Sequence, residues 1–182
     1  RRWGDRAVQP RKAIGELLVN DYTRKGFLDG RTARLPTIII RPGKPNAAAS
    51  SFVSGLFREP LSGVDCVIPV PLETRMAILG YRQAVAGFIA LHEADGSQIG
   101  DDRALNLPSL SVTVGQMVES LKRVAGNRPL GDIRVATDPF VEHIVTAWPE
   151  EMLWDRARAL GLTTGGDVDA IVRGYMEDFP SA

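Results

Sequence analysis

The 182-residue sequence holds a single cysteine, Cys66, and only two histidines, His92 and His143. One cysteine cannot close an intramolecular disulfide, so a reducing compartment, the cytoplasm, is expected. Cys66 lies in the apolar stretch Val64-Asp65-Cys66-Val67-Ile68, where an inert buried thiol is the plainer reading and a nucleophile the sharper one. Each histidine falls alone within a helical stretch, and His92-Glu93 lacks the second His of a zinc-protease helix, so helix-surface roles are expected. Neither sign of charge is in excess: 22 Lys+Arg balance 22 Asp+Glu, which argues against a broad basic surface for nucleic acid. No apolar run approaches the roughly 18 residues that a membrane-spanning helix needs, and no signal peptide is visible. Neither nucleic acid nor a membrane is therefore an expected partner. Methionine is missing from the start: the chain begins at Arg1 and its first methionine is Met76, so an upstream segment or a processed start is expected.

Several chemical signatures are missing too. There is no G-x-G-x-x-G after a strand, and Gly43-Lys44 lacks both the earlier glycine and the following Ser/Thr of a phosphate-binding loop. No G-x-S-x-G elbow occurs. The acidic pairs Asp101-Asp102 and Glu150-Glu151 stand in loops or helix starts, where solvated or capping roles are expected.

What is present is a 44% apolar, 24% charged chain, long enough for a substantial core. The strongest strand signal is the β-branched run over 37–40. It stops at Arg41-Pro42-Gly43, where Pro42 cannot continue a ladder and Gly43 frees the backbone. Helical periodicity is expected over 10–25, with Ile14, Leu17 and Leu18 on one face. It returns after Ser50 or Ser51, with Pro60 as the stop, and over 81–94, built on Ala84, Val85, Phe88, Ile89 and Leu91. Thr113 and Gln116 have capping-box spacing for a helix running to Gly126. Further helices are expected over 140–148, 152–160 and 168–179, the last capped by Asp167. Strands are expected over 34–40, 66–70, 74–79, 104–107 and 133–136. Alternating strands and helices place the chain in the α/β class, with an α+β-like character because most strands are short.

An apolar strand that ends in a basic loop and then a helix is how open α/β sheets build ligand sites. It is also what any buried strand needs for a turn. Lys12, Arg41, Lys44 and Arg75 supply the cations that a carboxylate or phosphate site requires, while Asn46 serves equally as a turn former.

Lys12-Ala13-Ile14-Gly15-Glu16-Leu17-Leu18, Asp21-Tyr22 and above all Arg41-Pro42-Gly43-Lys44-Pro45-Asn46-Ala47-Ala48-Ala49-Ser50-Ser51-Phe52 resemble extended short-chain dehydrogenases of the NAD-dependent epimerase/dehydratase family. Arg58-Glu59-Pro60-Leu61 and Thr74-Arg75 continue the likeness, which covers about residues 12–180. Within the family, the string is most similar to enzymes that oxidise a small sugar acid with NAD. The resemblance implies an irregular arm over 1–11, the last part of a Rossmann domain over 12–45 and a substrate-binding lobe over 46–182. It also implies that the amino-terminal Rossmann half is missing. By the same resemblance, Lys12 is the catalytic lysine that holds the cofactor ribose. Arg41, Pro42 and Gly43 line the nicotinamide side, and Lys44, Asn46, Ser50 and Arg75 face the substrate. The family's proton-transferring Tyr stands four residues before that Lys, but here the position is Val8, which cannot transfer a proton. The expectation is a chain that is inactive alone, paired as a homodimer through the helix at 10–25. The alternative is a non-catalytic sugar-acid-binding or dimerisation module.

Overall fold

The computed structural model describes residues 10–44 and 48–180, and of residues 10 and 11 the backbone only. The amino-terminal arm, with Val8, and the segment 45–47, with Asn46, lie outside the described residues.

The chain opens with helix α1 (Pro10–Arg24), followed by strands β1 (Thr32–Arg34) and β2 (Thr37–Ile39), where the sequence pattern predicts one strand. Leu35-Pro36 divides them, because proline withholds the N–H that an unbroken ladder would use. The two pieces take different neighbours. β1 pairs in parallel with β5 (Ala104–Asn106), and β2 pairs in parallel with β4 (Arg75–Gly80). Strand β6 (Leu110–Thr113), which the sequence reading leaves out, lies antiparallel on the other side of β4. A third pair joins β3 (Cys66–Ile68) to β7 (Ile133–Val135), in parallel.

Between the strands run α2 (Ser51–Leu61), α3 (Tyr81–Glu93), the short α4 (Gly96–Ile99) and α5 (Val114–Ala125). The helices α6 (Pro139–Val145), α7 (Asp155–Ala159) and α8 (Val168–Asp178) follow. The capping box of α5 forms as its spacing predicts: Thr113 Oγ1 accepts from the Gln116 N–H at 3.1 Å, and Gln116 Oε1 accepts from the Thr113 N–H at 2.8 Å. Asp167 caps α8 by accepting from the Ala170 N–H at 3.0 Å. Ser50 makes no side-chain cap on α2, and Pro60 sits inside the last turn of that helix rather than after it.

Strand β4 is covered on both faces, as a central strand should be. Met76 and Ile78 enter the main core with Ile39, Ile40, Leu56, Phe57, Ile68, Met117, Leu121 and Val172. Leu79 enters a second core with Ala84, Leu107, Ala157 and Leu162, and Leu91, Ile99 and Leu105 form a third. α3 turns its small residues inward. Ala84, Gly87 and Leu91 are buried, while Val85, Phe88 and Ile89, expected to face the core, are 56%, 49% and 58% exposed. A β-carbon at Gly87 would already stand 3.1 Å from a Leu107 methyl, so the helix at this turn lies too close to Leu107 for a larger side chain. On α1, Ile14, Leu17 and Leu18 are likewise more than half exposed. Among the described residues no helix is long and apolar enough to cross a membrane.

Candidate functional site

The connection from β2 to α2 carries Arg41, Pro42, Gly43, Lys44 and Ser50. Ile39 and Ile40 are fully buried, and the next four residues are exposed. Gly43 has φ +104°, a backbone region open to glycine at no steric cost. The Arg41 backbone is held at both ends by α2. Its N–H donates to Ser54 Oγ at 3.1 Å, and its carbonyl accepts from Arg58 Nη1 at 2.9 Å. The Arg41 side chain is left on the surface.

Lys12 is exposed on the first turns of α1. One turn further on, Glu16 is 6% exposed and accepts from Arg34 Nε and Nη2 at 2.9 and 2.6 Å. Beyond it, Asn20 Oδ1 accepts from the Arg103 N–H just before β5, and Thr23 Oγ1 accepts from the Gly30 N–H just before β1. α1 therefore runs antiparallel to β1. Its Lys12 turn points toward the carboxyl ends of β1 and β2, the end from which the basic loop leaves. Open α/β sheets bind ligands at that end.

Arg75 stands elsewhere. Ile39 is paired with Gly80, so Arg75 opens β4 about 16 Å back along the strand at the usual rise per residue. There it faces Thr113 on β6 and donates to the Ser111 carbonyl at 3.2 Å. Parallel pairing thus sets Arg75 apart from the Arg41–Lys44 loop, which linear spacing alone could not reveal. Ser54, Arg58 and Glu59 escaped the sequence reading as contributors to the site. The signal was the four-residue step from Ser54 to Arg58, which puts both on one face of α2.

Among the described residues no group of three or more His, Cys, Asp and Glu is placed to hold a metal. Two open hollows lie apart from the basic loop. One, of about 280 Å³, is bounded by Leu17, Asn20, Asp21, Arg24, Asp101 and Arg103. The other, of about 230 Å³, is bounded by Arg34, Asp102, Asn106, Trp154 and Arg156 among others. Cys66 is buried, and burial pushes its thiol up to about 11, with Glu59 adding to the effect. At the junction of β4 and α3, the Tyr81 hydroxyl donates to Asp178, and Arg82 grips the same carboxylate at 2.7 and 2.8 Å.

Parallel strand pairs, crossover helices and a basic loop at the strand ends are the parts from which an open α/β enzyme builds a ligand site. The chain's homologues lie among D-erythronate dehydrogenases and epimerase/dehydratase-type proteins. No family model matches it. It is 52% identical over 167 residues to a D-erythronate dehydrogenase of Cupriavidus necator, covering 92% of this chain and 52% of the relative. It is 43% identical over 166 residues to a D-erythronate dehydrogenase of Haemophilus influenzae, covering 91% and 53%. The crystal structure of a nucleoside-diphosphate-sugar epimerase from Agrobacterium tumefaciens superposes with a TM-score of 0.88 at 43% identity, over 93% of this chain and 49% of that one. The chain thus spans about half the length of the curated relatives it matches.

Proposed function

We propose that this chain is the carboxyl-terminal, substrate-binding part of an NAD-dependent sugar-acid dehydrogenase of the D-erythronate dehydrogenase kind, inactive by itself. The observation that carries the reading is the 52% identity that runs through nearly the whole chain yet through only half of the relative. In the complete enzyme, bound NAD supplies the acceptor for the hydride from a secondary alcohol carbon. Lys12 and the loop Arg41-Pro42-Gly43 would hold its ribose and nicotinamide side. The residues present fit only that part of a dinucleotide, because no glycine-rich turn precedes a helix to take the pyrophosphate. Lys44, with Ser50 and Asn46, would bind the sugar-acid carboxylate. Arg75, about 16 Å back along β4, is left out of that group. We place the Rossmann-side remnant at 12–45 and the substrate lobe at 46–182, with α3, α4 and β5 returning to the Rossmann side through the smaller cores.

Two measurements test this. Purified chain mixed with NAD and D-erythronate should form no NADH, and steady NADH formation would overturn the claim of inactivity. Calorimetric titration should register D-erythronate without NAD. The opposite pattern would sink the substrate-lobe assignment. The uncovered faces of α1 and α3 favour a second role, a homodimer through the helix at 10–25.

A further inference from the structure

We infer that Ser54 and Arg58 are positioning residues, a two-point clamp on α2 that fixes the backbone of Arg41 and thereby aims the Arg41–Lys44 loop. The inference rests on the proposed role of that loop.

Arg41 is the first exposed residue after the buried Ile39-Ile40 pair, so its peptide groups mark where the rigid sheet hands over to the loop. Both are taken by one helix face. The Ser54 hydroxyl, 1% exposed, receives the Arg41 N–H at 3.1 Å, and one turn later Arg58 Nη1 donates to the Arg41 carbonyl at 2.9 Å. Pro42, next in line, has no N–H to offer, so Arg41 is the last residue before Gly43 that can be fixed from both sides.

The Arg58 side chain is costly to keep here, which argues against a purely stabilising part. It is only 11% exposed and is neutralised by Glu59, 16% exposed, at 2.5 Å. The second Glu59 oxygen, Oε2, is buried with no hydrogen-bond partner among the described residues. A buried pair with an unsatisfied oxygen adds little to stability, and apolar replacements of both members are often neutral. What the pair supplies is a guanidinium that gives Nη2 to Glu59 and Nη1 to the Arg41 carbonyl, which fixes the direction of the second bond. Gly55 leaves the room for it, since a β-carbon there would stand 2.7 Å from Glu59 Oε2.

Amide hydrogen exchange on the full 182-residue chain tests the clamp. Ser54→Ala and the paired Arg58→Met/Glu59→Gln variant, which removes the ion pair without stranding a charge, are compared with the parent. Exchange at Arg41, Gly43 and Lys44 should rise at least about tenfold, while the amides of α5 and α8 keep their protection. Arg58→Lys, which keeps a donor but not the planar fork, should fall between. D-erythronate affinity should weaken at least about fivefold as the competent loop geometry becomes a smaller fraction of the ensemble. Unchanged loop exchange in both variants would overturn the clamp. Failure of the parent chain to bind D-erythronate counts against the proposed function alone, because the exchange result decides the clamp without any ligand.

Discussion

The Cys66 thiol shares the main core with Phe57 and Ile68, where an anion finds no solvation. With its ionisation pushed up to about 11, about one thiol in 10⁴ is charged at pH 7. Native protein should therefore resist a thiol-specific disulfide reagent at neutral pH and react promptly once unfolded in guanidinium. Fast labelling of the folded chain would contradict the burial. Asp169 is the opposite case. Arg123 donates to it at 2.7 and 2.8 Å and the Ser120 hydroxyl at 2.5 Å, and these bonds hold its carboxyl down at about 2. A depressed folded-state value means that the contribution is complete above the unfolded value of about 4. It is lost as pH falls through about 2. Asp169→Asn should lower the melting temperature at pH 6 and flatten its decline between about pH 4 and pH 2. A decline identical to that of the parent would remove Asp169 from the acid response.

At the scale of elements, local signals held at the caps of α5 and α8 but not at Ser50, which makes no side-chain cap on α2. Thr113 and Gln116 cap α5 with both bonds made. Replacing Thr113 by alanine should destabilise the chain by about 1 kcal/mol, read from the denaturant midpoint. Phe57, fully buried on α2, should lose about 3–5 kcal/mol on truncation to alanine. Signals failed where a distant partner decided the outcome. The run over 34–40 reads as one strand, but Pro36 and two different neighbours split it. Leu110–Thr113 shows little pattern of its own and is a strand because β4 presents its open edge to it. α3 shows the same limit, since apolar periodicity marks an apolar face without saying whether this chain covers it.

For the whole molecule, the apolar residues left outward on α1 and α3 are the largest consequence. Ile14, Leu17, Leu18, Val85, Phe88 and Ile89 are each about half exposed. A homodimer through the helix at 10–25 would cover the first three. Light scattering should show self-association of the parent chain, and Leu17→Glu should return it to the monomer. A monodisperse parent monomer would count against that partner. The site follows the same division. The Arg41–Lys44 loop and the Lys12 turn face one end of the sheet, whereas Arg75 opens β4 at the other.

The sequence by itself determined the α/β alternation, the caps at Thr113 and Asp167, the break at Pro42-Gly43 and the resemblance to the family, because each rests on residue type and short spacing. Tertiary structure alone decided which strand pairs with which, and therefore that Arg41 and Arg75 lie at opposite ends of the β2–β4 pair. It also decided that Ser54 and Arg58 bind the Arg41 backbone, and that the larger apolar residues of α3 face outward. Those outcomes depend on register and on the closeness of Gly87 to Leu107, which residues distant in the chain create together.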